Sequence, residues 1–354
     1  MEEPLPNGGS CLLGSLNLAE YVKNPFSENA YFDRESFIKD VASSITYLNE
    51  ILDEGLPLHP LEEQQKTVND LRQIGCGIMG LADALIKLGI RYGSDESLTI
   101  SNVIGHAMIN SALQQSALLA KEHGVFPRYT DKVLESEFLN RVATNETLEL
   151  IKKYGLRNSQ ILTIAPTGSI STMIGVSGGI EAIFMNSYLR KTETLHEGET
   201  YYKVYTPIVK EYMEKHGVIN EEDLPDFFVT SMSLNYKDRI SMQSVWQKYI
   251  DASISSTVNV PNDFTVEQVE DLYMFAWKKK LKGITIYRDG CERTGILTKE
   301  KKEKTIDEIQ EELSNAINKK LKDNPNQCPM CGGHMFQSGG CSECQDCGYS
   351  PCAV

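Results

Sequence analysis

Ser159-Gln-Ile-Leu-Thr-Ile-Ala-Pro-Thr-Gly-Ser-Ile-Ser171 is the stretch of the chain that decides the predicted fold. Its first half is a β-branched, apolar run that stops at Pro166, which is typical of a buried strand. Its second half is a turn rich in glycine and hydroxyl groups, where backbone N–H groups can converge on one oxyanion. The sequence therefore predicts a strand followed by a candidate ligand loop.

Helical periodicity surrounds this stretch on both sides. The segments with a helical pattern are 37–51, 78–88, 100–119 and 266–280. Thr265 is the predicted N-cap of the last of these helices, and a further strand is expected at 283–287. Helices that alternate with short apolar strands favour an α/β fold with largely parallel strands.

Length, composition and charge limit the classes of function. The chain has 354 residues, of which 41% are hydrophobic, and a formal net charge of −14. No apolar run approaches the roughly 20 residues that span a bilayer, and the acidic start is no signal peptide, so we expect a cytoplasmic protein without a membrane partner. The negative charge argues against nucleic-acid binding but allows a nucleotide substrate.

Two Cys-x-x-Cys-Gly motifs near the C-terminus predict a metal site. Cys328 and Cys331 form the first motif, and Cys344 and Cys347 form the second. Four thiolates at this spacing suit a structural zinc ion, and metal binding would fold a segment that has no core of its own. The alternative is a tail of unligated cysteines.

Two further cysteines in the tail, Cys341 and Cys352, remain for redox chemistry. A pair of accessible thiols beside a zinc site could act as a mobile dithiol. The assignment is not unique, because Cys341 could pair with Cys344 as ligands and leave Cys347 and Cys352 as the dithiol. Cys76 and Cys291, in contrast, are predicted to be structural.

The predicted domain organisation has three parts. Residues 1–297 form the α/β unit, and residues 328–354 form the cysteine-rich ribbon. Residues 298–327 are a highly charged tether, in which Thr305 and Glu308 fit a capping box for one amphipathic helix. A purely solvated linker is the alternative for the tether.

A family resemblance is carried by several motifs in the same order along the chain. They are Glu2–Leu18, Arg72–Leu85, Ala165–Ser171, Gly178–Glu181, Thr257–Pro261, Lys282–Gly290 and the cysteine-rich tail. Together they resemble the adenosylcobalamin-dependent (class II) ribonucleotide reductases. The match begins at the glutamate of the family pattern Asn-Pro-Cys-Gly-Glu, so the radical-bearing cysteine would precede residue 1.

The resemblance also favours one class within this family. Class I enzymes take their radical from a separate subunit and carry a tyrosine pair in the strand that corresponds to 282–288. This chain has Ile286-Tyr287 at that position. The missing tyrosine favours a locally generated radical and hence adenosylcobalamin, with the C-terminal part of a class I enzyme as the alternative.

The resemblance implies a fold and a set of roles. The fold would be the later half of a ten-stranded α/β barrel, followed by a small zinc ribbon. Glu2 would take the proton of the substrate 3′-hydroxyl, and Cys11 would belong to the cysteine pair that ends as a disulfide. The residues expected to hold the ribonucleotide are Ser10, Pro166, Thr167, Gly168, Ser169, Ile170 and Ser171.

The same resemblance implies cofactors and partners. Adenosylcobalamin would be shared with the missing N-terminal half of the reductase, and a thioredoxin-like reductant would reset the Cys341–Cys352 dithiol. The chain is expected to be one subunit of a split enzyme, with a gene fragment or a non-catalytic remnant as alternatives. Two rival functions are a zinc-ribbon adaptor and a thiol oxidoreductase that acts on other proteins.

Overall fold

The computed structural model describes residues 4–193, 199–290, 327–328, 331–338, 341–344 and 346–347. The chain forms two compact units, Met1–Thr294 and Gly295–Val354. The α-helices are α1 (Arg34–Gly55), α2 (Glu62–Leu71), α3 (Leu81–Lys87), α4 (Asp95–His123), α5 (Glu137–Val142), α6 (Asn145–Tyr154), α7 (Gly168–Ile174), α8 (Pro207–His216), α9 (Tyr236–Gln247) and α10 (Val266–Lys278). The strands are β1 (Leu13–Asn17), β2 (Val22–Lys23), β3 (Tyr31–Phe32), β4 (Gly75–Met79), β5 (Ser187–Glu193), β6 (Glu199–Tyr205), β7 (Thr257–Val260), β8 (Thr285–Arg288), β9 (Met335–Ser338) and β10 (Cys341–Cys344).

Parallel extended segments form the centre of the first unit. β1 pairs in parallel with β4, and the other side of β4 bonds to the segment 160–165 through a parallel bridge between Cys76 and Leu162. That segment bonds in turn to 252–256, with Ile164 opposite Ile254, and 252–256 continues into β7, which pairs in parallel with β8. The prediction of an α/β fold is therefore confirmed. The central segments are parallel as expected, whereas the pairs β2–β3 and β5–β6 are antiparallel.

The long helices pack on the parallel extended segments because their apolar residues recur at helical spacing and form one apolar side. In α1, Phe37, Val41 and Ile45 are fully buried, and the Asp33 side chain caps the helix by accepting from the Ser36 N–H at 3.1 Å. α4 packs against α1 and α9. The predicted helices 37–51 and 100–119 are confirmed within these longer elements.

α10 confirms the predicted N-cap. The Thr265 hydroxyl accepts from the Gln268 N–H at 3.3 Å, while the Gln268 side chain accepts from the Thr265 N–H at 2.8 Å. This reciprocal capping box satisfies N–H groups that the first turn of a helix leaves without partners. β8 follows, so the expected strand after this helix is also confirmed.

The predicted helix 78–88 was wrong in its first part. Residues 75–79 are the buried strand β4, and the helix begins only at Leu81 after a turn at Gly80, whose φ is +69°. A strand buried on both faces has no alternating pattern, so its apolar run resembles a buried helix. Gly80 is required here, because a Cβ would lie 2.3 Å from the Asn17 Oδ1.

The segment 160–165 is extended and buried, as predicted, but it pairs through isolated bridges rather than as a regular strand. The reason is the Asp251 carboxylate, which accepts from the Ile161 N–H at 2.8 Å and from the Leu162 N–H at 2.7 Å. A side chain thus occupies N–H groups that a ladder would otherwise use. Within the part of the chain that the structure describes, the parallel series remains open and does not show a closed ten-stranded barrel.

The second unit contains the antiparallel pair β9 and β10, with Met335 opposite Cys344. Met335, Cys328 and Cys344 form its small buried cluster. The predicted tether with Thr305 and Glu308 lies outside the described residues. Among the helices that are described, none combines the length and apolar composition needed to cross a membrane.

Candidate functional site

The predicted ligand loop, residues 166–171, joins the central extended segment to α7. Thr167 adopts a left-handed conformation with φ +52° and ψ 21°, and α7 starts at the next residue, Gly168. The Ser171 N–H donates to the Thr167 carbonyl at 2.8 Å, which closes the first turn of the helix. Because the helix begins directly after the extended segment, its first N–H groups lie at the carboxyl end of the parallel series, where α/β proteins commonly bind ligands.

A second glycine-rich stretch, residues 175–181, folds back onto this loop. The Gly179 N–H donates to the Thr167 hydroxyl at 2.8 Å. A Cβ at Gly178 would lie 2.7 Å from the Pro166 carbonyl oxygen, and one at Gly179 would lie 2.6 Å from that of Ala165. Only glycine allows the two backbone segments to approach so closely. This contact, together with the hydrogen bond from Gly179, stabilises the left-handed conformation of Thr167.

Asp83 anchors the start of this supporting turn. Its carboxylate accepts from the Ser177 N–H at 2.7 Å, while the Ser177 carbonyl accepts from the Gly80 N–H at 2.8 Å. Burial disfavours the charged form of Asp83 and raises its pKa. The β4–α3 junction and the turn behind the ligand loop are therefore held together by one buried carboxyl.

Glu181 and Arg239 anchor the end of the same turn. The Glu181 carboxylate accepts from the Thr257 N–H at 2.8 Å and pairs with the buried Arg239 guanidinium. Arg239 also donates to the Thr257 carbonyl at 2.6 Å, and the Tyr92 hydroxyl donates to the Ile180 carbonyl at 2.5 Å. The turn is thereby joined to the first residue of β7.

Asp83, Tyr92 and Arg239 were not predicted from the sequence as parts of this site. Glu181 was noted only as a member of a motif, without a role. The sequence did contain a signal for two of these residues, which was a charged side chain among apolar ones. Asp83 is buried in α3, and Arg239 is buried in α9. Such residues are rarely buried unless they are paired, but their partners could not be identified from spacing.

The outer side of the ligand loop is accessible. Gly168, Ser169 and Ile170 are exposed, and a Cβ built on Gly168 would meet no atom within 4 Å. Ser171, in contrast, is buried and donates to the Gly168 carbonyl at 3.4 Å. The arrangement offers backbone N–H groups to an anion on a rigid support, which suits a phosphate group.

The N-terminal segment is held by α2. The Thr67 hydroxyl donates to the Asn7 carbonyl at 3.0 Å, and a Cβ at Gly8 would lie 2.7 Å from the Glu63 carbonyl oxygen. Ser10 is half-buried and Cys11 is exposed, just before the amino end of β1. Glu2, the predicted general base, lies outside the described residues.

The two predicted parts of the active site are not joined by any described contact. Cys11 precedes the amino end of β1, whereas the ligand loop follows the carboxyl end of the segment 160–165. A joint role for Cys11 and the loop therefore requires a substrate that reaches both. Cys76 is fully buried in β4, and burial raises the pKa of its thiol to about 12, as expected of a structural cysteine.

The second unit brings together the four cysteines of the two motifs. The sulfur atoms of Cys328, Cys331, Cys344 and Cys347 all lie within 4.8 Å of one another. The Sγ–Sγ distance is 3.6 Å for Cys328 and Cys347 and 3.5 Å for Cys331 and Cys344. Four thiolates at about 2.3 Å from a tetrahedral zinc would be roughly 3.8 Å apart, so the cluster fits that ion.

This cluster favours the first of the two ligand assignments. Cys344 and Cys347 both belong to it, and Gly333 donates its N–H to the Cys331 sulfur at 3.4 Å, as a Cys-x-x-Cys-Gly turn allows. Cys341 begins β10, but its side chain and all of Cys352 lie outside the described residues, as does Cys291. The redox role of Cys341 and Cys352 stays a prediction.

Comparison with known proteins supplies the family context. Residues 1–287 match the model of the ribonucleotide reductase barrel domain. The vitamin B12-dependent ribonucleoside-diphosphate reductase of Thermoplasma acidophilum is 31% identical over 351 residues, covering 93% of this chain and 42% of that protein. A protein of the same name from Mycobacterium tuberculosis is 30% identical over 313 residues, covering 84% of this chain and 42% of that protein.

The fold is shared with a solved structure. The Actinobacillus ureae class Id ribonucleotide reductase alpha subunit matches with a TM-score of 0.60 and 21% identity, covering 79% of this chain and 50% of that one. This likeness concerns the fold alone. The chain spans less than half the length of the Thermoplasma acidophilum and Mycobacterium tuberculosis relatives.

Proposed function

The chain belongs to the ribonucleotide reductase family through its barrel domain, and from this premise we propose that it is the later portion of an adenosylcobalamin-dependent reductase. The reaction would convert a ribonucleotide to the 2′-deoxyribonucleotide by a thiyl-radical mechanism. The observation that carries the proposal is the ligand loop, in which Thr167 is locked in a left-handed turn with the start of α7 exposed beside it. Both relatives are vitamin B12-dependent reductases by name, which supports the cofactor.

The proposed architecture is the later half of a ten-stranded α/β barrel. The parallel series from β1 to β8 would supply this half, and a polypeptide that precedes residue 1 in the family pattern would supply the rest, including the radical cysteine. The greater length of the relatives supports such a partner. The assembled enzyme would be cytoplasmic.

The ligand loop would hold the substrate phosphates. The backbone N–H groups of Gly168, Ser169 and Ile170 would donate to phosphate oxygens, while Thr167 and Ser171 maintain the shape of the turn. Pro166 ends the extended segment, and Ser10 would contact the substrate from the N-terminal segment. The favourable end of the α7 dipole would add to this binding.

Glu2 and Cys11 would carry out the chemistry that belongs to this chain. Glu2 would accept the proton of the 3′-hydroxyl as a general base. The 2′-hydroxyl would leave as water, while Cys11 and a cysteine of the preceding portion give up two electrons and two protons and form a disulfide. Adenosylcobalamin, when bound, would supply the initiating radical; none of the described residues is assigned as a cobalamin contact.

The tail would restore the enzyme after each turnover. Cys341 and Cys352 would reduce the disulfide that contains Cys11 by thiol–disulfide exchange, and a thioredoxin-like protein would reduce them in turn. Cys328, Cys331, Cys344 and Cys347 would hold a zinc ion that keeps this segment folded. The closeness of the four sulfur atoms supports that assignment.

The experiment that tests the proposal is a reduction assay with adenosylcobalamin and dithiothreitol. The chain is assayed alone and mixed with a polypeptide that supplies the preceding half through Asn-Pro-Cys-Gly. We expect deoxynucleotide only in the mixture, and loss of the product with Glu2→Gln or Cys11→Ser. Glu3→Gln is the matched control, because it removes the neighbouring carboxylate and should retain activity.

Other outcomes would point to other functions. Activity that depends on a separate metal-containing subunit and not on cobalamin would identify a class I enzyme. The compact four-cysteine centre would also suit a zinc-ribbon adaptor, which would bind a partner protein and show no nucleotide affinity. Disulfide turnover on other proteins without nucleotide would identify a thiol oxidoreductase.

A further inference from the structure

Both parts of the candidate site are attached to one short junction, residues 71–75, where α2 ends and β4 begins. The Gly75 N–H donates to the Leu12 carbonyl at 2.8 Å, directly after the predicted redox cysteine. The Ile74 N–H donates to the Gln160 carbonyl at 3.1 Å, at the start of the segment that leads to the ligand loop. The conformation of the junction therefore sets where these two parts lie relative to each other.

Arg72 holds this junction in an unusual backbone conformation. It is the C-cap of α2 and has φ +47°, in the left-handed region that favours glycine. Its side chain is only 2% exposed and binds the Asp53 carboxylate through both oxygens, from Nη1 at 2.6 Å and from Nη2 at 2.9 Å. Nη2 also donates to the Asn49 Oδ1 at 3.2 Å. Two charge-assisted hydrogen bonds to α1 thus stabilise a backbone conformation that a residue other than glycine rarely adopts.

Asn158 connects the segment of the ligand loop to the same side chains. Its amide Nδ2 donates to the Arg72 carbonyl at 2.9 Å and to the Asn49 Oδ1 at 3.0 Å, and its Oδ1 accepts from the Asn49 Nδ2 at 3.1 Å. The Ser116 hydroxyl of α4 donates to the same oxygen at 3.0 Å. Asn49, Ser116 and Asn158 are all buried, so a lost hydrogen bond here would leave a buried polar group without its partner. The Arg72 cluster therefore joins α1, α2 and α4 to the segment that ends in the ligand loop; its members are Asn49, Asp53, Arg72, Ser116 and Asn158.

We propose that Arg72 and Asp53 are positioning residues, which keep Cys11 at the correct distance from a nucleotide held by the ligand loop. The inference rests on the proposed function and deepens it, since neither residue is assigned a contact with the substrate. Cys11 and the loop lie at opposite ends of parallel segments, so a shift of the junction moves one against the other. A misplacement of about 1 Å can lower turnover by about a hundredfold.

The kinetic constants separate positioning from substrate binding. The ligand loop has its own support in the Glu181–Arg239 pair, which lies outside the Arg72 cluster. Loss of the contact between Arg72 and Asp53 should therefore displace Cys11 while the loop still binds phosphate. In the reconstituted enzyme, Asp53→Asn should lower kcat by about tenfold or more and leave the KM for nucleotide within about twofold of the wild-type value.

Two further variants control for the loss of charge and for the carboxylate itself. Asp70→Asn removes an equal charge close to the junction, but Asp70 pairs with the exposed Arg128 at 3.3 Å. An exposed ion pair contributes little, so kcat of this variant should stay at the wild-type value. Asp53→Glu keeps the carboxylate and should recover part of the activity that Asp53→Asn loses.

Alkylation of Cys11 measures how firmly its segment is held, without any turnover. The full chain is treated with N-ethylmaleimide, and the labelling of each cysteine is followed by mass spectrometry of its peptide. Cys11 is exposed, and it should react faster in Asp53→Asn than in the wild type or in Asp70→Asn, because its segment opens more easily. Cys76 is buried and should stay unlabelled as long as the variant is folded. If Cys76 is labelled in Asp53→Asn, the same comparison is made with Asp53→Glu.

The outcomes separate this inference from the proposed function. Wild-type kcat and wild-type labelling of Cys11 in folded Asp53→Asn would overturn the positioning role and leave the reductase function standing. A raised KM with unchanged kcat, or an equal loss of activity in Asp70→Asn, would also overturn it. Faster labelling of Cys11 in Asp53→Asn, combined with a wild-type mixture that forms no deoxynucleotide, would support the hold of the Arg72 cluster on Cys11 and count against the reductase function.

Discussion

At the scale of single residues, the ligand loop depends on side chains that do not face the ligand. Thr167 accepts a hydrogen bond from the Gly179 N–H, and that turn is held in place by Asp83 and by the Glu181–Arg239 pair. The residues that shape the loop are thus buried behind it. The residues that would touch a phosphate contribute mainly backbone N–H groups, which substitution of their side chains leaves in place.

Thr167→Val tests the supporting hydrogen bond. Valine has nearly the same shape but no acceptor, so the Gly179 N–H loses its partner, and we expect the free energy of unfolding to fall by about 1–3 kcal/mol. In the reconstituted enzyme the KM for nucleotide should rise. Thr167→Ser keeps the hydroxyl and is the control. Wild-type stability and KM for the valine variant would contradict this role.

Asp251 provides a prediction about pH. Burial raises the pKa of Asp251 in the folded chain above the ordinary value of 3.8. Between pH 3.8 and this raised pKa, the folded chain therefore binds more protons than the unfolded chain. The stability that this carboxyl contributes is therefore greatest below 3.8 and falls as the pH rises through the folded pKa. Chemical denaturation of the wild type and of Asp251→Asn across this range measures the difference.

The comparison of these two proteins isolates one carboxyl. The difference in the free energy of unfolding, wild type minus Asp251→Asn, should decline as the pH rises. The variant also loses one acceptor for the Ile161 and Leu162 N–H groups, which adds an offset that does not depend on pH. Asp271→Asn, on the exposed side of α10, controls for the loss of one formal charge. A difference that increases with pH would contradict the assignment.

At the scale of elements, the central feature is the close approach of β4 to the segment 160–165. A Cβ at Gly77 would lie 2.2 Å from the Thr163 carbonyl oxygen, with the backbone of both segments fixed by hydrogen bonds. This spacing places the carboxyl end of 160–165, and with it the ligand loop, directly beside the β4–α3 turn. The position of the loop therefore depends on a glycine in a strand.

Gly77→Ala should be strongly destabilising, because the added methyl group meets backbone and neither segment can move freely. We expect a loss of about 2 kcal/mol or more in the free energy of unfolding. Gly55→Ala is the matched control, since a Cβ there meets nothing within 4 Å and the residue lies at the end of α1. Thermal or urea denaturation of both variants measures the difference, and equal stabilities would refute the packing argument.

At the scale of the whole molecule, the chain consists of two compact units with different sources of stability. Met1–Thr294 contains a large hydrophobic core, whereas the described part of Gly295–Val354 buries only Cys328, Met335 and Cys344. A core of that size cannot by itself offset the entropy of ordering the segment. We therefore propose that a metal ion held by the four thiolates would stabilise the second unit.

Metal removal should affect one unit only. We expect one zinc ion per chain, and we expect Cys331→Ser to lose it while Cys11→Ser keeps it, as measured by elemental analysis. A chelator should unfold the second unit, detected as proteolysis within the last 30 or so residues, and leave the thermal transition of the first unit unchanged. Zinc retained by Cys331→Ser would exclude the proposed ligand set.

The sequence by itself determined the features whose cause is local. Short-range patterns account for the α/β class, the helices α1 and α10, the capping by Thr265 and the loop after the extended segment 160–165. The four-cysteine set follows from motif spacing, because a Cys-x-x-Cys turn can hold two sulfur atoms on one ion. The family resemblance added the expected roles of Glu2 and Cys11, which are still predictions.

Only the tertiary structure decided the features that depend on distant partners. The end of β4, Ile78 and Met79, was predicted as the start of a helix, because a strand that is buried on both faces lacks the alternating pattern that distinguishes a strand from a helix. The support of the ligand loop joins Ser177 to Asp83, 94 residues apart, and Asp251 reaches Ile161 across 90 residues. No local pattern specifies such pairs, because the path of the chain brings them together and burial then makes each hydrogen bond costly to lose.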